Sequence, residues 1–179
     1  MDKIQETNIQ ILKDCSGGNY VDNDLVLIDN LRDVPIPNVP LRTNYIMIGL
    51  CTKGQGHYSV DTRDYDVNAN DAFIVSERHV LDHFSLSPDF EAFCMVVSVN
   101  FFHEIIRNVS EMSALFLYSR NHPVLQYDEK ERKIFNNYFE VIRNRVSDKS
   151  NHFLNDLLKT LMLAMFYDLS NVIYRTQQV

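Results

Sequence analysis

Several residue types are scarce in this sequence of 179 residues, and each shortage removes a class of protein. There is no tryptophan, and the three cysteines, at positions 15, 51 and 94, lie far apart and form no CxxC pair. A disulfide framework or a cysteine-ligated zinc site is therefore not expected. No apolar run approaches the ~18 residues that suggest a membrane span, and the charged N-terminus lacks the apolar centre of a signal peptide. The sequence thus predicts a cytoplasmic protein that does not enter a membrane.

Basic charge is scarce as well. The net charge is −7, and residues 128–179 hold 8 Lys and Arg against 7 Asp and Glu, so the acidic excess lies before residue 128. Neither part resembles a basic surface that binds nucleic acid. Any contact with DNA is therefore expected to come from a domain that this chain does not contain.

The motifs of several enzyme classes are also missing. The sequence has no GxSxG, no Walker sequence and no GxGxxG, which argues against a serine nucleophile or a phosphate-binding loop. A catalytic metal usually needs three protein ligands, and His57 is followed by neither a second histidine at i+2 nor a nearby glutamate. We therefore predict no catalytic residues, no metal and no cofactor.

Residues 42–100 have the pattern of an antiparallel β structure. Short apolar or alternating runs are separated by Gly, Asn and Asp, and three of the five glycines fall within residues 49–56. Such spacing is typical of a barrel or sandwich, and Gly54 and Gly56 suit a hairpin-type turn. Residues 1–23 read as a polar arm with weak structure, and the three prolines of 35–40 predict a stiff, extended connector.

After residue 100 the apolar period becomes helical. Asn100 and Ser110 are candidate caps of two short helices, and residues 122–127 are a possible further strand. Asp128 followed by Glu131 predicts a capping box that opens a helix to about Val146, and a second long helix is predicted over about 151–174. The predicted fold is a β-rich α+β protein with an arm (1–23), an antiparallel cupin or jelly-roll-like barrel with short helices after 100 (24–127), and a C-terminal helical hairpin (128–179).

A small barrel can hold one small ligand in its interior, so side chains that face the interior are candidate ligand contacts. In strands 45–51 and 92–98 the face with smaller residues is the better cavity wall. Arg42, at a strand start, could meet an anionic or hydroxylated ligand, and His79 and His83 are polar positions within an apolar strand. The candidate ligand-binding residues are Arg42, Tyr45, Met47, His79, His83, Cys94 and Val96.

Residues 45–84, YIMIGLCTKGQGHYSVDTRDYDVNANDAFIVSERHVLDHF, resemble the cupin-type N-terminal domain of AraC-family transcription regulators. Lys53-Gly54-Gln55-Gly56 matches the family's KGxG turn, and Asn70-Asp71 stands where Gly-Asp is usual. Residues 90–106 resemble the last barrel strand running into a helix. The family's usual loop proline is missing, with Ser76-Glu77 in its place. The resemblance covers roughly 24–175.

The resemblance implies an effector-binding and dimerisation domain without the family's helix-turn-helix DNA-binding half. By position, His83 falls where a sugar-binding member contacts its ligand. Cys94 and Val96 replace the imidazole and indole that member has on the same strand, so a smaller or more apolar effector is expected. The helical pair takes the position of the family's dimerisation helices, which implies a homodimer through Leu154, Leu157, Leu158, Leu161 and Met165.

Two alternatives share the same fold. One is a metal-dependent cupin enzyme, which the missing ligand triad argues against. The other is a barrel without a ligand that serves only assembly, since Tyr45, Met47, Phe73 and Met95 are large enough to fill a small interior.

Overall fold

The computed structural model describes residues 3–178; residues 1, 2 and 179 of the predicted arm and helical pair lie outside the described residues. The helices are α1 (Ile9–Lys13), α2 (Val99–Ile106), α3 (Ser110–Asn121), α4 (Glu129–Val146) and α5 (Leu154–Gln177), with a 3₁₀ turn over Leu31–Asp33. The strands are β1 (Gln5–Thr7), β2 (Tyr20–Val21), β3 (Leu25–Ile28), β4 (Leu41–Thr43), β5 (Tyr45–Lys53), β6 (Gln55–Val60), β7 (Arg63–Asn68), β8 (Asp71–Val75), β9 (Val80–Leu86), β10 (Glu91–Ser98) and β11 (Val124–Gln126).

The strands form two sheets, with the orders β1-β4-β9-β6-β7 and β11-β8-β5-β10-β3-β2. Within residues 3–178 the pairings are antiparallel apart from β1 with β4. The inner faces of the sheets share one apolar core. This arrangement confirms the predicted jelly-roll-like barrel, and α4 and α5 confirm the C-terminal helical pair.

The six-stranded sheet separates two apolar cores because side chains alternate along its strands. On β5, Tyr45 and Met47 face the barrel interior, whereas Ile46 and Ile48 pack in the second core with α2, α4 and α5. Both faces are therefore buried, which explains why residues 45–51 are apolar without interruption. A strand of this kind connects the barrel interior to the helices through opposite faces of one backbone.

Local signals placed the helix starts with mixed success. The capping box of α4 is confirmed, since the Asp128 carboxylate accepts from the Glu131 amide and Glu131 accepts from the Asp128 amide, both at 2.8 Å. The cap of α2 is Ser98, whose hydroxyl accepts from the Phe101 amide, so the prediction for Asn100 is wrong. Helix α3 begins at Ser110 itself and has no side-chain cap. None of the helices among residues 3–178 is long and apolar enough to cross a lipid bilayer.

The prediction that residues 1–23 have weak structure is wrong. Strand β1 pairs with β4, and Ile9 and Leu12 of α1 are buried in the barrel core. Asn8 caps α1, and the helix ends before the positive-φ residues Gly17 and Gly18. The i, i+3 spacing of the apolar residues Ile9 and Leu12 is the feature of the sequence that indicates α1. A helix of five residues contains only one such spacing, which does not distinguish a helix from a loop.

Candidate functional site

A cavity of about 110 Å³ lies between the two sheets of the barrel. Its walls come from both sheets and from two segments that close one side, helix α1 and the chain that follows the 3₁₀ turn. The lining residues are Leu12, Leu31, Val34, Pro35, Ile36, Pro37, Leu41, Tyr45, Met47, Gly56, His57, Tyr58, Val67, Phe73, Val75, Leu81, Phe84, Leu86 and Phe90. The site is thus an apolar, partly enclosed pocket, the usual character of small-molecule sites.

Close packing around two glycines shapes this cavity. Gly49 pairs with Phe73 across the sheet, and a Cβ at Gly49 would stand 2.1 Å from Phe73 Cζ. A Cβ at Gly56 would stand 3.2 Å from both Leu86 Cδ2 and Phe90 Cε2. These glycines therefore let aromatic rings lie directly against the backbone, which is the role glycine serves when two groups must approach closely.

Most polar groups of the lining are committed to partners inside the protein. Burial raises the pKa of Tyr45 to about 12, and its hydroxyl lies near the side chain of Thr7 of β1. His57 Nδ1 lies 2.7 Å from Asp66 Oδ1, and this hydrogen bond raises the pKa of His57. Tyr45 thereby ties the cavity wall to the N-terminal arm, and His57 is held at the outer surface.

The Tyr58 hydroxyl differs from these groups because it is buried and has no hydrogen-bond partner. The ring lies on the inner face of β6, parallel to Phe84 with the centroids 6.3 Å apart, and 6.2 Å from the ring of Tyr65. Burial raises the pKa of Tyr58, so the phenol remains neutral. A buried, unpaired hydroxyl costs free energy, and because this oxygen has almost no accessible surface it is the rest of Tyr58 that lines the cavity.

The cavity contains two of the seven predicted ligand-binding residues. Tyr45 and Met47 line it directly. Cys94 and Val96 are fully buried on the same inner face, where they pack in the barrel core beside the cavity without lining it. Burial raises the pKa of the Cys94 thiol. The strand faces chosen for their small residues thus do face the interior, although only part of each reaches the open space.

The three predicted basic or imidazole residues lie elsewhere. Arg42 forms an ion pair of 3.2 Å with Glu6 of the arm, and His79 Nδ1 lies 2.5 Å from Asp61 Oδ2 while its Nε2 is buried without a partner. His83 is largely exposed and has a φ of +54°. Arg42, His79 and His83 are therefore not among the residues that line the cavity.

A β-bulge explains the position of His83. His57 pairs with Ser85, but Ser59 pairs with Asp82, so the β9 strand has an extra residue opposite Tyr58. A bulge turns side chains away from regular alternation. Here it leaves His83 at the surface beside Ser59 and brings Phe84 under the ring of Tyr58. Sequence alternation along residues 80–86 gave no sign of this extra residue.

The sequence missed the residues that close the cavity. Leu12 lies in the segment expected to be unstructured, and Leu31, Val34 and Ile36 lie in or beside the proline-rich connector. The connector has no helix or strand over 35–40, and Val34 and Ile36, on either side of Pro35, line the pocket. Apolar residues alternating with proline in a loop were the signal that could have indicated this contact.

The predicted dimerisation residues of α5 divide into two groups. Leu158 and Met165 are fully buried in the core that α5 shares with the sheet, so they contact this chain itself. Leu154, Leu157 and Leu161 are only partly buried. The exposed aromatic side chains of the same helix are Tyr167 and Tyr174, and Phe153 immediately precedes it. This outward surface, made of Phe153, Leu154, Leu157, Leu161, Tyr167 and Tyr174, is called the α5 apolar surface below.

A catalytic metal site needs about three protein ligands close together. Within residues 3–178 no group of three His, Cys, Asp or Glu side chains is placed to hold a metal ion. The histidines of the β region instead lie beside one or two aspartates: His57 beside Asp66 and Asp64, His79 beside Asp61, and His83 beside Asp82.

No protein-family model and no curated protein matches this sequence. Among solved structures, the apo form of a ToxT variant from Vibrio cholerae is similar with a TM-score of 0.50 at 12% identity, over 86% of this chain and 58% of that chain. ToxT of Vibrio cholerae O395 bound to (E)-4-(8-methylnaphthalen-1-yl)but-3-enoic acid has a TM-score of 0.41 at 14% identity, covering 72% of this chain and 49% of that one. The AraC-like transcriptional activator CuxR has a TM-score of 0.40 at 13% identity, covering 69% and 42%.

This chain therefore spans about half the length of each of these proteins. At such low identity the similarity concerns the fold alone. The chain therefore shares its fold with a part of the ToxT variant.

Proposed function

We propose that this chain is the effector-binding and dimerisation domain of an AraC-type transcription regulator, with DNA bound by a helix-turn-helix domain outside this sequence. The observation that carries the proposal is the apolar, partly enclosed cavity between the two sheets. The fold shared with the ToxT variant and the acidic net charge of −7 support the same assignment. In this proposal residues 1–23 are a closing arm, 24–127 the sensor barrel and 128–179 the dimerisation helices.

A ligand in this cavity would touch both elements through which a signal could pass. Leu12 of α1 and Tyr45, which lies near Thr7 of β1, connect the cavity to the arm. Met47 of β5 lines the cavity, while Ile46 and Ile48 on the opposite face pack in the core with α4 and α5. An effector that binds one arrangement of these elements more tightly would shift the population toward it.

The α5 apolar surface is the proposed dimer contact. Tyr167 and Tyr174 are more than half exposed, at 53% and 59%, and Leu154 and Leu161 are partly exposed where they pack at the edge of the chain's own core. Aromatic and leucine side chains in contiguous patches are typical of protein interfaces. A second copy of this chain could bury them without changing the core that contains Leu158.

The dimer is tested by light scattering of the purified chain after size exclusion. Leu161→Asp should raise the dimer dissociation constant by roughly tenfold or more. The matched control is Ile11→Asp, which changes an exposed apolar residue of α1 and should leave the dimer intact. A wild-type chain that remains monomeric at high concentration would refute the dimerisation role.

Regulation is tested by fusing the chain to a DNA-binding domain that acts only as a dimer. The fusion should control a reporter gene, and Leu161→Asp should abolish that control. Val67→Phe, which places a larger side chain at the cavity wall, should remove any response to an added effector while the basal control remains. If the cavity-blocked fusion still responds, the effector site lies elsewhere.

A further inference from the structure

A second cleft lies between the two C-terminal helices, α4 and α5. It measures about 270 Å³, and among the described residues none lines both this cleft and the barrel cavity. The buried apolar members of its lining are Phe135 of α4 and Met165, Leu169 and Val172 of α5. Charged and phenolic side chains line the rest of the cleft, and their partners decide which kind of molecule fits it.

The positive charge of Arg175 in this lining is already paired. Its Nε and one terminal nitrogen donate to the two carboxylate oxygens of Glu131 at 2.9 and 2.8 Å, and the same nitrogen donates to the Gln126 carbonyl at 3.1 Å. Glu131 also accepts a hydrogen bond from the Asp128 amide at 2.8 Å. An anionic ligand would have to break this network to reach the guanidinium group, so Arg175 does not provide an anion site.

The Asp168 carboxylate of the same cleft has no cation beside it. One of its oxygens accepts a hydrogen bond from the Tyr138 hydroxyl at 2.6 Å. Within residues 3–178 no lysine, arginine or histidine forms an ion pair with Asp168. A carboxylate without a counter-ion, next to an apolar surface, attracts a cation that carries an apolar group.

Tyr127 gives independent evidence for a ligand in this cleft. The residue lines the cleft and is only 7% exposed, and no group among residues 3–178 forms a hydrogen bond with its hydroxyl. The described polar atoms that are enclosed without a partner belong to three other residues, so the Tyr127 oxygen has accessible surface. Burial and the charges of Glu131 and Asp168 raise the pKa of Tyr127. Because both carboxylates line the cleft, the hydroxyl opens into it, and an unpaired acceptor there favours a ligand that donates a hydrogen bond.

We propose that the cleft between α4 and α5 binds a small primary amine with an apolar or aromatic body, whose ammonium group pairs with the Asp168 carboxylate. An ammonium group has three N–H donors, so it can also donate to the Tyr127 hydroxyl while the body lies against Leu169 and Val172. This inference goes beyond the proposed function, because the cleft is separate from the barrel cavity.

The volume of the cleft sets the size of the amine. An apolar protein cavity of roughly 150 Å³ takes up benzene, and this cleft measures about 270 Å³. The cleft therefore suits a molecule of about nine or ten non-hydrogen atoms. A single aromatic ring with a two-carbon chain and an amino group has this size.

The test uses three probes of nearly equal size that differ in charge: phenethylamine, which is a cation at neutral pH, 2-phenylethanol, which is neutral, and phenylacetate, which is an anion. Binding to the purified full chain is followed by the shifts of backbone amide signals in NMR titrations, which also locate the probe. Phenethylamine should shift the amides of α4 and α5 around the cleft and bind about fivefold more tightly than 2-phenylethanol. Phenylacetate should not bind in the cleft.

Variants identify the groups that hold the amine. In Asp168→Asn the affinity for phenethylamine should fall to that for 2-phenylethanol, while the affinity for 2-phenylethanol is unchanged. Tyr127→Phe should weaken phenethylamine binding roughly two- to tenfold. The matched control is Asp156→Asn, because Asp156 is an exposed aspartate of the same helix that does not line the cleft; it should bind phenethylamine as the wild type does.

Two further variants test whether the probe lies in the cleft. Asn171 is an exposed member of the lining, so Asn171→Trp should fill the cleft and abolish phenethylamine binding. Ile134→Trp, on the facing helix, is a second blocking variant should the first fail to fold. Binding that persists in both variants would place the amine elsewhere and overturn the proposal.

The remaining outcomes separate this inference from the proposed function. No binding of phenethylamine, equal affinity for the amine and the alcohol, an unchanged amine affinity in Asp168→Asn, or binding of phenylacetate in the cleft would each overturn the assignment of ligand class. An unchanged amine affinity in Tyr127→Phe would overturn the role of that hydroxyl. The dimer and reporter experiments use neither these probes nor these variants, so either proposal can fail while the other stands.

Discussion

Replacing Gly54 by alanine is expected to destabilise the protein through two separable effects. Gly54 lies in the turn between β5 and β6 and has a φ of +74°. A Cβ built there would stand 2.7 Å from both N and Cα of Phe90 and 2.5 Å from Ser87 Oγ. The Phe90 atoms belong to the backbone, and Ser87 Oγ accepts a hydrogen bond from the Gln55 amide. Relief of the contact therefore requires the turn at 87–90 to move.

The magnitude follows from the backbone conformation and the contact together. A side chain in the left-handed region costs about 1–2 kcal/mol relative to glycine. Overpacking against groups that cannot easily move costs about 1–3 kcal/mol more. The expected loss in the free energy of unfolding for Gly54→Ala is therefore about 2–5 kcal/mol.

Gly17→Ala is the matched control because it isolates the conformational effect. Gly17 has a φ of +62°, but a Cβ there would have no atom within 4 Å. Its expected loss is only about 1–2 kcal/mol. Urea denaturation followed by circular dichroism measures both values. If the two variants lose the same free energy, the contact with Phe90 contributes nothing and the steric argument is refuted.

Three further outcomes are expected. Without ligand, Tyr58→Phe removes a buried, unpaired hydroxyl and should raise the free energy of unfolding by about 1–3 kcal/mol. The melting temperature should rise by about 2–4 °C for each kcal/mol. A lower melting temperature in the variant would mean that the hydroxyl has a hydrogen-bond partner. Leu158 is fully buried, so Leu158→Ala should lower the free energy of unfolding, measured by chemical denaturation, by about 2–5 kcal/mol. Leu161 is partly buried, so Leu161→Ala should lower it by less than half as much. Equal losses would contradict the division of α5 into core and surface. Burial and the hydrogen bond to Asp168 raise the pKa of Tyr138 to about 12, so its stabilising contribution is full below the unfolded pKa near 10 and is lost as pH rises toward 12. Absorbance at alkaline pH should show that Tyr138→Phe loses one of the late-ionising tyrosines, a group that also includes Tyr45 and Tyr58. If the variant instead loses amplitude near pH 10 and keeps the late phase unchanged, the assignment is refuted.

The residues of the candidate site were predicted correctly only where the pattern along a single strand fixes the direction of the side chains. Tyr45 and Met47 were predicted from alternation along one strand, and they line the cavity. Arg42 was chosen as a basic residue at a strand start and His79 as a polar position within an apolar strand. Each is paired with a residue distant in sequence, Arg42 with Glu6 and His79 with Asp61. Such pairs depend on which segments meet in space, and strand periodicity carries no information about them.

The sequence alone determined the order of strands and helices from residue 45 onward, the buried faces of β5 and β10, and the capping box at Asp128. These features depend on side-chain alternation and on hydrogen bonds between residues a few positions apart. The tertiary structure alone decided that the arm closes the barrel, that a bulge places Phe84 beneath Tyr58, and that the Tyr58 hydroxyl has no partner. Each of these depends on contacts between residues distant in sequence, so the cavity and its one unsatisfied group exist only after the two sheets have packed together.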